Sequence, residues 1–440
     1  MEYKLGDLIE IKHGFAFKGK DFSETSTNKI LLSPGNFLIG GGFNSSKEKY
    51  YSDEAILPED YILKENDLIV TMTDLSKNGD TLGFPALIPY SNKKIYLHNQ
   101  RLGRVTITKP TLIDKYYLYF LMRTQEYRHH VLSAASGTTV KHTSPSKLLA
   151  YKVKLPDLKL QKNIANILMS LEDKLTNNLK IIDTLEQLSQ TIFKRWFIDY
   201  EFPNSNEQPY KANGGEMIDS ELGNIPRTWR VMTLEESIEF IIDHRGKTPK
   251  KLGSEWTNDG IPAISAKNIK NNRLVNPESI KFIDEDLYKK WMKQELHMGD
   301  IILTSEGPLG ELYFLAEKEK YCLSQRLYGI RANRNIIYPE ILFLFMNSPM
   351  FKDELFSRAT GSTVQGIRQA ELRKIKILIP DMEVQRKVLP NFQSTLLQAY
   401  NLHIQNNKIK ILQEYLLPKL FSGEVALPDG MEVNENVSIS

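Results

Sequence analysis

The chain has 440 residues, enough for about three domains of ordinary size, and its 41% hydrophobic and 25% charged content is typical of a globular protein. A net charge of +3 is compatible with a nucleic-acid partner but does not by itself indicate one. The single cysteine, Cys322, excludes an internal disulfide and a cysteine-rich metal site, and we expect it to be buried as a small apolar residue.

The N-terminal stretch MEYKLGDLIE lacks the apolar segment of a secretory signal, and no apolar run is long enough to cross a bilayer. We therefore expect a cytoplasmic protein without a membrane partner.

In chain order, the sequence predicts a β-rich region over 1–155. Short runs such as NDLIVTMT alternate there with Gly, Pro and Asn turns, around one helical insertion, TLIDKYYLYFLMRTQEYRHHVL. A helical region over 156–202 follows, and from Asp157 to Phe202 it contains neither Gly nor Pro. The polar stretch FPNSNEQPYKANGG indicates a linker at 203–228. A second β-rich region (229–380), a second helical region (381–425) and a solvated tail (426–440) complete the predicted order.

The regions recur because the sequence itself repeats. SGTTV (136–140) and TGSTV (360–364) place their glycines 224 residues apart, and the same gapless offset aligns Gln161 with Gln385 and IFKRWF with LLPKLF. Upstream, the offset drifts to 225 for NQRLGRVTI against SQRLYGIRA, 232 for LLSPGNF against AISAKNI, and 233 for LKENDLIVT against LHMGDIILT. A period this long indicates duplicated domains rather than a solenoid.

Both helical regions carry apolar residues at alternating spacings of four and three, which predicts a seam that packs against a partner helix. The first seam comprises Leu160, Ile164, Leu168, Leu171, Leu175, Ile182, Leu185, Ile192 and Trp196, with polar Asn178 and Ser189 in two further slots. The second comprises Val388, Phe392, Ala399, Leu402, Ile409, Leu416 and Leu420, with Asn406 in one slot. Two helices of about 38 residues would each be roughly 57 Å long. We expect them to pack antiparallel as a rod with a domain at either end, and we expect Pro390 to kink or interrupt the second.

Catalytic motifs are absent from the sequence. It contains no G-x-x-x-x-G-K-[ST] phosphate loop, no HExxH or paired CxxC, and no Asn/Asp-Pro-Pro-aromatic tetrapeptide of an aminomethyltransferase. GGGF (Gly40 to Phe43) is interpreted as a flexible hairpin tip rather than a cofactor cradle. Glu172 and Lys174 are interpreted as a solvated face of the coiled coil. The histidines His98, His129, His130 and His142 are interpreted as exposed residues rather than a metal cluster. We expect no catalysis.

Basic and amide residues instead concentrate on turns, as in HGFAFKGK (13–20), TVKHTS (139–144), HRGKTPKK (244–251) and SAKN (265–268). Lys and Arg neutralise phosphates, and Arg, Lys, Asn and Gln also pair with base edges in the major groove. Each stretch alone is compatible with a plain surface charge. Their duplication favours a reader of a target in two separated pieces.

These residues resemble the specificity subunit of a type I restriction-modification system over essentially the whole chain. The resemblance is carried by GGEMIDSELGNIPRTWR (214–230), TIFKRWFIDYEFP (191–203), LLPKLFSGEV (416–425), IPAISAKNI (261–269), GDIILTSEGPLG (299–310) and LSQRL. The first copy departs from the family pattern at Gly35-Asn36-Phe37. The family implies an α+β fold with two tandem target recognition domains and two long helices packed as an antiparallel coiled coil, an internal pseudo-two-fold repeat.

The resemblance also implies the function and the partners. The chain would be a non-catalytic reader of a bipartite, asymmetric site in double-stranded DNA. It would hold two methylation subunits, which bind S-adenosylmethionine and methylate adenine, and restriction subunits, which use ATP and magnesium. No cofactor would be bound by this chain itself.

The predicted contacts follow from the basic turns and the repeat. The predicted DNA contacts are Lys18, Lys20, Asn36, Arg101, Lys141 and His142 in the first domain, and Arg245, Lys247, Lys267, Asn268, Arg326 and Arg368 in the second. The predicted interface with the methylation subunits comprises Lys194, Arg195, Phe197, Lys419 and Phe421, although coiled-coil packing is an alternative role for that segment.

Three interpretations stay open at this point. SGTTV and TGSTV are equivalent loops near DNA or the domain–helix joint, or purely structural turns. A self-contained methyltransferase or nuclease with drifted motifs is an alternative to the non-catalytic reader. A coiled-coil assembly protein without sequence-specific DNA binding is a further alternative.

Overall fold

The computed structural model describes residues 2–361 and 363–425, so the predicted tail at 426–440 lies outside the described residues. The chain divides into two compact units. Unit 1 comprises the described residues up to Thr176 and those from Asn406 onward, and unit 2 comprises Asn177–Gln405. Each unit therefore contains one β-rich region and one part of each long helix.

The strands of unit 1 are short, as the turn spacing predicts. They are β1 (Glu2–Lys4), β2 (Ile9–His13), β3 (Phe22–Ser23), β4 (Lys29–Leu31), β5 (Tyr50–Tyr51), β6 (Ile62–Leu63), β7 (Leu68–Thr71), β8 (Thr73–Asp74), β9 (Pro85–Leu87), β10 (Ile95–Leu97), β11 (Leu102–Ile107), β12 (Lys141–His142) and β13 (Lys152–Lys154). Its helices are α1 (Lys115–Leu121), α2 (Gln125–Ser133), α3 (Pro145–Leu149) and the first part of α4 (Leu158–Phe193).

Unit 2 repeats this content. Its strands are β14 (Met217–Ser220), β15 (Gly223–Pro226), β16 (Arg230–Thr233), β17 (Ile238–Ile242), β18 (Ile261–Ile264), β19 (Ile269–Lys270), β20 (Arg273–Leu274), β21 (Lys281–Ile283), β22 (Ile301–Ser305), β23 (Leu309–Phe314), β24 (Cys322–Leu323), β25 (Leu327–Ala332) and β26 (Lys376–Ile379). Its helices are α5 (Leu234–Ser237), α6 (Glu285–Trp291), α7 (Pro339–Asn347), α8 (Pro349–Ser357), α9 (Gln369–Leu372) and the first part of α10 (Met382–Ser422).

Three strand arrangements recur in both units, although the five-stranded sheet of unit 1 has a three-stranded counterpart in unit 2. A four-stranded sheet has the order β2-β11-β7-β9 in unit 1 and β17-β25-β22-β23 in unit 2. The strands that open and close each β-rich region pair antiparallel, β1 with β13 and β16 with β26. One parallel pair also recurs, β4 with β10 and β18 with β24. The duplication predicted from the sequence is therefore confirmed at the level of topology.

The register follows the drifting offsets. Leu102 lies opposite Thr71 in unit 1, and Leu327 lies opposite Thr304 in unit 2. The first residues of these pairs are 225 apart and the second 233 apart, as the sequence alignment predicts. The offset changes where loops differ in length, and the paired strands keep their partners.

Apolar runs on these strands and helices form the cores. In unit 2, β22 and β25 pack against α7, whose residues are almost all buried. In unit 1, α1 plays this part, with Tyr117 to Met122 buried. Cys322 is fully buried, as expected for an apolar role, and burial raises the pKa of its thiol to about 12.

The two long helices pack antiparallel within each unit. In unit 2, the Ser189 hydroxyl and the Thr395 hydroxyl are 2.7 Å apart, and the Asn178 amide donates to Gln405 at 2.7 Å. Residue numbers rise along one helix as they fall along the other, which is the antiparallel order. In unit 1, Ile164 packs in the same cluster as Leu420. Every predicted seam residue is buried or half-buried, so the seam is confirmed.

Pro390 was expected to kink or interrupt the second helix, and of these two effects the interruption is wrong. Helix α10 runs without a break from Met382 to Ser422. Proline removes its own backbone N–H and hence one helical hydrogen bond. Val388 and Phe392 on either side are fully buried in the unit 2 core, and this packing holds the helix together across the lost bond.

The segment 203–228, predicted as a linker, contains ordered structure. Strands β14 and β15 form a hairpin inside it. Phe202 stacks on Tyr210 and on the buried Trp229, with ring centroids 4.6 and 5.1 Å apart. The polar turns of this segment are therefore folded back onto aromatic residues of unit 2.

Candidate nucleic-acid interface

The described residues of the loops SGTTV and TGSTV share their closing hydrogen bonds and the conformation of their glycines. Each is closed by a pair of backbone hydrogen bonds, between Ser136 and His142 in unit 1 and between Thr360 and Gly366 in unit 2. Gly137 and Gly361 have φ angles of +92° and +109°, in the region that favours glycine. Both closing pairs are 224 residues apart, so the two loops are equivalent.

In unit 1, the return strand of this loop joins two other segments. Lys141–His142 pairs antiparallel with β8. The backbone N–H of Met72, just before β8, donates to the carbonyl of Arg101 at 2.9 Å. The turn that contains Arg101 in turn contacts the segment after β2, because Gln100 N–H donates to the Phe15 carbonyl at 2.9 Å.

Unit 2 repeats this convergence. The backbone N–H of Ser305 donates to the carbonyl of Arg326 at 2.8 Å, and Ile367 N–H donates to the Ser305 carbonyl at 2.9 Å. Glu306 forms a bridge with Gly366. We call this arrangement the loop frame. It consists of three segments: the residues that follow the glycine loop, the strand end at β7–β8 or β22, and the turn that contains Gln100-Arg101 or Gln325-Arg326.

Four of the predicted cations of unit 2 are attached to its loop frame. Arg326 and Arg368 are exposed and belong to it directly. Arg245 lies over the ring of Tyr328 at 4.2 Å, and the Tyr328 hydroxyl donates to the Ile367 carbonyl at 3.2 Å. Lys267 is the exposed residue of a turn beside the frame, the turn whose Ala266 N–H donates to the Gln325 carbonyl at 3.4 Å. The structure therefore brings these four residues to one region.

Lys247 is held differently. Its ammonium group donates to the carbonyl of Trp291 at 2.7 Å. Burial and the nearby Lys293 lower the pKa of Lys247. The side chain is therefore directed at a helix end of its own domain, and a DNA contact would require it to leave that carbonyl.

In unit 1, Arg101, Lys141 and His142 belong to the loop frame, and Arg101 and His142 are exposed. The His142 Nδ1 lies 3.2 Å from the hydroxyl of Thr73. Lys18 and Lys20 are exposed in the segment that follows the Phe15 contact. No hydrogen bond of the described residues ties either lysine side chain to the loop frame.

The predicted DNA contacts at Asn36 and Asn268 are corrected by the structure. Both side chains are buried, and both accept hydrogen bonds from a serine three residues earlier, Ser33 N–H at 2.8 Å and Ser265 N–H at 3.0 Å. Their amide groups donate to the carbonyls of Asn44 and Asn276, eight residues further along the chain. Each asparagine therefore joins a short helical turn to a later segment, and its polar atoms are used within the protein rather than at a base. The departure at Gly35-Asn36-Phe37 leaves this turn unchanged.

The residues predicted to contact the methylation subunits fall into two groups. Lys194 and Arg195 are exposed in a π-helical turn after α4, with Lys194 paired to Asp199 at 2.7 Å. Phe197 is buried in the unit 2 core against Trp229 and Phe392, which favours the packing alternative for it.

The other two residues predicted to contact the methylation subunits, Lys419 and Phe421, lie in unit 1. Phe421 is half-buried and stacks on Tyr117 with centroids 4.7 Å apart. Lys419 forms an ion pair with Glu424 and lies over the Tyr415 ring at 4.7 Å. Lys419 is therefore also engaged within unit 1, with 25% of its side chain exposed.

A structured loop that the sequence analysis missed follows β8. Burial alone would raise the pKa of the Asp74 carboxyl, but hydrogen bonds from Thr81 and Ser76 hold its pKa below the usual value. Arg128 donates to two carbonyls of the same loop, of Gly79 and Leu82. These contacts fix the loop whose exposed tip is Lys77. An Asp after a buried strand, with Ser two residues later, is the signal that could have identified it.

The histidines do not form a metal site. His130 bonds to the Lys147 carbonyl at 2.9 Å, while His98 is buried, not exposed as expected. Among the described residues, no group of three or more His, Cys, Asp or Glu side chains is placed to hold a metal ion. Within the same residues, no helix is long and apolar enough to cross a membrane. The three glycines of GGGF all have positive φ, and the Gly40 carbonyl accepts from Arg123 at 2.7 Å.

Comparison with known proteins places this geometry in a family. The sequence model of the type I restriction modification DNA specificity domain matches residues 1–187 and again residues 226–413. The two matches together span well over half of the chain. The chain belongs to this family. The loop frame therefore belongs to a DNA specificity domain of the type I family.

Individual relatives agree. The MjaVIII type I restriction enzyme specificity subunit of Methanocaldococcus jannaschii is 26% identical over 345 residues, 77% of this chain and 74% of the relative. The EcoBI specificity subunit of Escherichia coli is 24% identical over 441 residues, 97% of this chain and 86% of the relative. The S subunit of a type I restriction-modification system from M. genitalium has a TM-score of 0.60 at 15% identity, with 97% and 96% of the two chains covered. At that identity it shows that the fold is shared.

Proposed function

We propose that this type I specificity subunit reads a bipartite, asymmetric site in double-stranded DNA, with each unit reading one half. The observation that carries the proposal is the duplicated loop frame. Two units with the same order in their four-stranded sheets each present exposed basic residues on the Gln-Arg turn and after the glycine loop, Arg101 and His142 in unit 1 and Arg326 and Arg368 in unit 2. Cations on loops supply the phosphate contacts that position a protein, and side chains at base edges supply the specificity.

The two frames differ in the side chains they carry, and this supports the asymmetry. Where unit 1 presents His142 bonded to Thr73, unit 2 has Gly366 beside Glu306. A common backbone with different hydrogen-bonding groups is suited to two half-sites of different sequence.

We further propose that the chain is non-catalytic and acts in a cytoplasmic complex with two methylation subunits and with restriction subunits. S-adenosylmethionine, ATP and magnesium would be bound by those partners. The remaining candidates for docking the methylation subunits are Lys194 and Arg195, which are exposed in the turn after α4, and the half-buried Lys419 of α10. The relatives' names support the specificity role, and the partners themselves are part of the proposal.

Adenine methylation across the genome of a host that carries the system, with and without this gene, tests the proposal. Loss of one gapped, two-part methylated motif on deletion is the expected result, with other motifs unchanged as the internal control. Restoration by the gene supplied in trans should return the same motif. An unchanged methylome in a host whose methylation subunit is shown to be expressed would contradict the proposal. Binding of S-adenosylmethionine by the isolated chain would favour a self-contained methyltransferase instead.

A further inference from the structure

We propose that Glu306 is a base-reading residue of unit 2, and that the Glu306–Arg326 pair recognises one C·G base pair in the major groove. This inference rests on the proposed function and adds to it the chemistry of one position. Both side chains are partly exposed, Glu306 at 44% and Arg326 at 48%. Their ion pair joins Arg326 Nε to Glu306 Oε1 at 3.1 Å.

The loop frame holds this pair in place. Glu306 lies over Gly366, where an added Cβ would come within 3.0 Å of the Glu306 Cβ and 3.4 Å of its Oε2. The Arg326 guanidinium lies against Gly307, where an added Cβ would be 2.8 Å from Nη1. Two glycines therefore leave the room that the two charged groups occupy.

Arg326 also adopts an uncommon backbone conformation. Its φ is +64°, in the left-handed region that costs a non-glycine residue free energy. In this conformation the carbonyl of Arg326 accepts a hydrogen bond from Ser305 N–H at 2.8 Å. Strain of this kind concentrates at functional positions, and here it directs a cationic side chain out of the frame beside the carboxylate.

Carboxylates lie beside these cations: Asp243 pairs with Arg245 at 2.9 Å, and Glu306 pairs with Arg326. Glu306 interacts electrostatically with Arg245 as well as with Arg326, and Arg368 follows on the same frame. Near DNA, a carboxylate is repelled by phosphates, so it is tolerated where it accepts a hydrogen bond from a base. The base donor that suits Glu is the N4 amino group of cytosine.

Together, the two side chains match one base pair. A C·G pair presents in the major groove the N4 donor of cytosine and the O6 and N7 acceptors of guanine. Glu306 supplies an acceptor and Arg326 supplies a fork of donors. A T·A pair presents the O4 of thymine where the cytosine donor stood, so the carboxylate would face an acceptor. Unit 1 has Thr73 at the position equivalent to Glu306, so this reading belongs to one half-site only.

The test uses the full chain co-expressed with the methylation subunit of its system in a host that lacks both, with long-read sequencing of adenine methylation. The wild type should give a two-part motif with an invariant C·G pair in one half. Glu306→Ala should reduce discrimination at that pair by about 5- to 150-fold, and Arg326→Ala should relax the same pair. Glu306→Gln, which keeps the shape and one acceptor oxygen, should have a smaller effect.

Glu317→Ala removes another exposed carboxylate of unit 2 and is the matched control, expected to leave the motif unchanged. Thermal unfolding of each variant complex shows whether the variant folds. If Glu306→Ala does not fold, the motif of Glu306→Gln is used for the test instead. An unchanged motif, a uniform loss of methylation at all sites, or relaxation of a pair other than C·G in Glu306→Ala would overturn the inference. Absence of any two-part motif in the wild type would instead overturn the proposed function.

Discussion

Gln161 and Gln385 lie 224 residues apart and make the same three hydrogen bonds, each at the start of a long helix. The Gln161 Oε1 accepts from Asp114 N–H at 3.0 Å, and its amide donates to the carbonyls of Leu112 and Pro156 at 2.8 and 3.0 Å. The Gln385 side chain accepts from Tyr338 N–H at 3.0 Å and donates to the carbonyls of Ile336 and Pro380 at 2.8 and 2.9 Å. All three partners obey the same offset, so each buried amide joins a long helix to the domain beside it.

The first prediction concerns these amides. Gln161→Ala or Gln385→Ala leaves buried backbone groups without partners, and each should lower the free energy of unfolding by about 1–3 kcal/mol. Urea denaturation of the purified variants measures the loss. The exposed glutamines of the same helices, changed in Gln187→Ala and Gln398→Ala, are the controls. A loss no larger than that of the controls would show that the two amides do not hold the helices to the domains.

The second prediction concerns the polar contact in the seam of unit 2. Ser189→Ala and Thr395→Val each remove one hydroxyl of the pair. The double variant should destabilise the protein by less than the sum of the single variants, with a coupling of about 0.5–1.5 kcal/mol, because the second change removes a hydroxyl whose partner across the seam is already gone. A double-mutant cycle in urea measures the coupling. Strict additivity would mean that the two hydroxyls do not interact in solution.

The third prediction concerns pH and His98. Burial lowers the pKa of this imidazole to about 4, below its usual 6.5, and the nearby Arg104, Lys12 and His13 lower it further. At a pH between 4 and 6.5, His98 therefore binds a proton in the unfolded chain but not in the folded chain. This contribution to stability is complete above pH 6.5 and is lost as the pH falls toward 4. Between pH 7 and 5 the loss should be about 2 kcal/mol.

Unit 2 has Leu323 at the position of His98, since both residues continue the recurring parallel strand pair. Unfolding in urea at pH 7 and 5 should therefore show a weaker pH dependence for His98→Leu than for the wild type. The exposed His129 provides the control variant, His129→Leu, which should keep the wild-type dependence. Equal pH dependence in wild type and His98→Leu would show that His98 is not held neutral by burial.

The fourth prediction concerns the equivalent glycine loops. A Cβ at Gly137 or Gly361 would lie 2.0 or 2.3 Å from the carbonyl oxygen of Val140 or Val364, so alanine forces the loop to change. Each variant should weaken DNA binding and relax only the half-site of its own unit. Gly40→Ala and Gly253→Ala share the positive φ but meet no neighbouring atom within 4 Å, and they should bind as the wild type does. Unchanged recognition in Gly137→Ala and Gly361→Ala would make the loops structural turns only.

The fifth prediction separates phosphate contacts from base contacts. Arg101→Ala and Arg368→Ala each remove an exposed cation of a loop frame. If these cations neutralise phosphates, binding should weaken for all sequences and the slope of log K against log salt should fall by about 1 in magnitude. Fluorescence anisotropy with the reconstituted complex at several salt concentrations measures the slope. Lys318→Ala, an exposed cation of unit 2, is the control. An unchanged slope would remove these residues from the phosphate contacts.

Much of the fold could be predicted because the repeat carries information about register. Asp67 and Asp300 align at an offset of 233, and each accepts from a backbone N–H three residues earlier, at 2.9 and 2.8 Å. Identical local bonds of this kind fix where each strand begins. The helical seam could be predicted for the same reason, since its spacing depends only on local periodicity.

The predictions from the sequence are wrong where the direction of a side chain depends on packing, which composition does not reveal. Asn36 and Asn268 follow buried strands, and composition does not tell whether an amide there turns outward to DNA or inward to the turn. The serine three residues before each asparagine, present in both copies, was the available signal for an inward cap. The Glu306–Arg326 pair was missed as a pair because only the folded loop frame brings the two residues together.

The most direct test of the central claim is selection of bound DNA from a random duplex library by the purified complex of this chain with its methylation subunit. The account predicts enrichment of one motif in two unlike parts separated by a gap of fixed length. Substitutions in the loop frame of one unit should alter one part and leave the other unchanged. Enrichment of a single continuous motif, or of no motif by a complex that binds DNA, would contradict it.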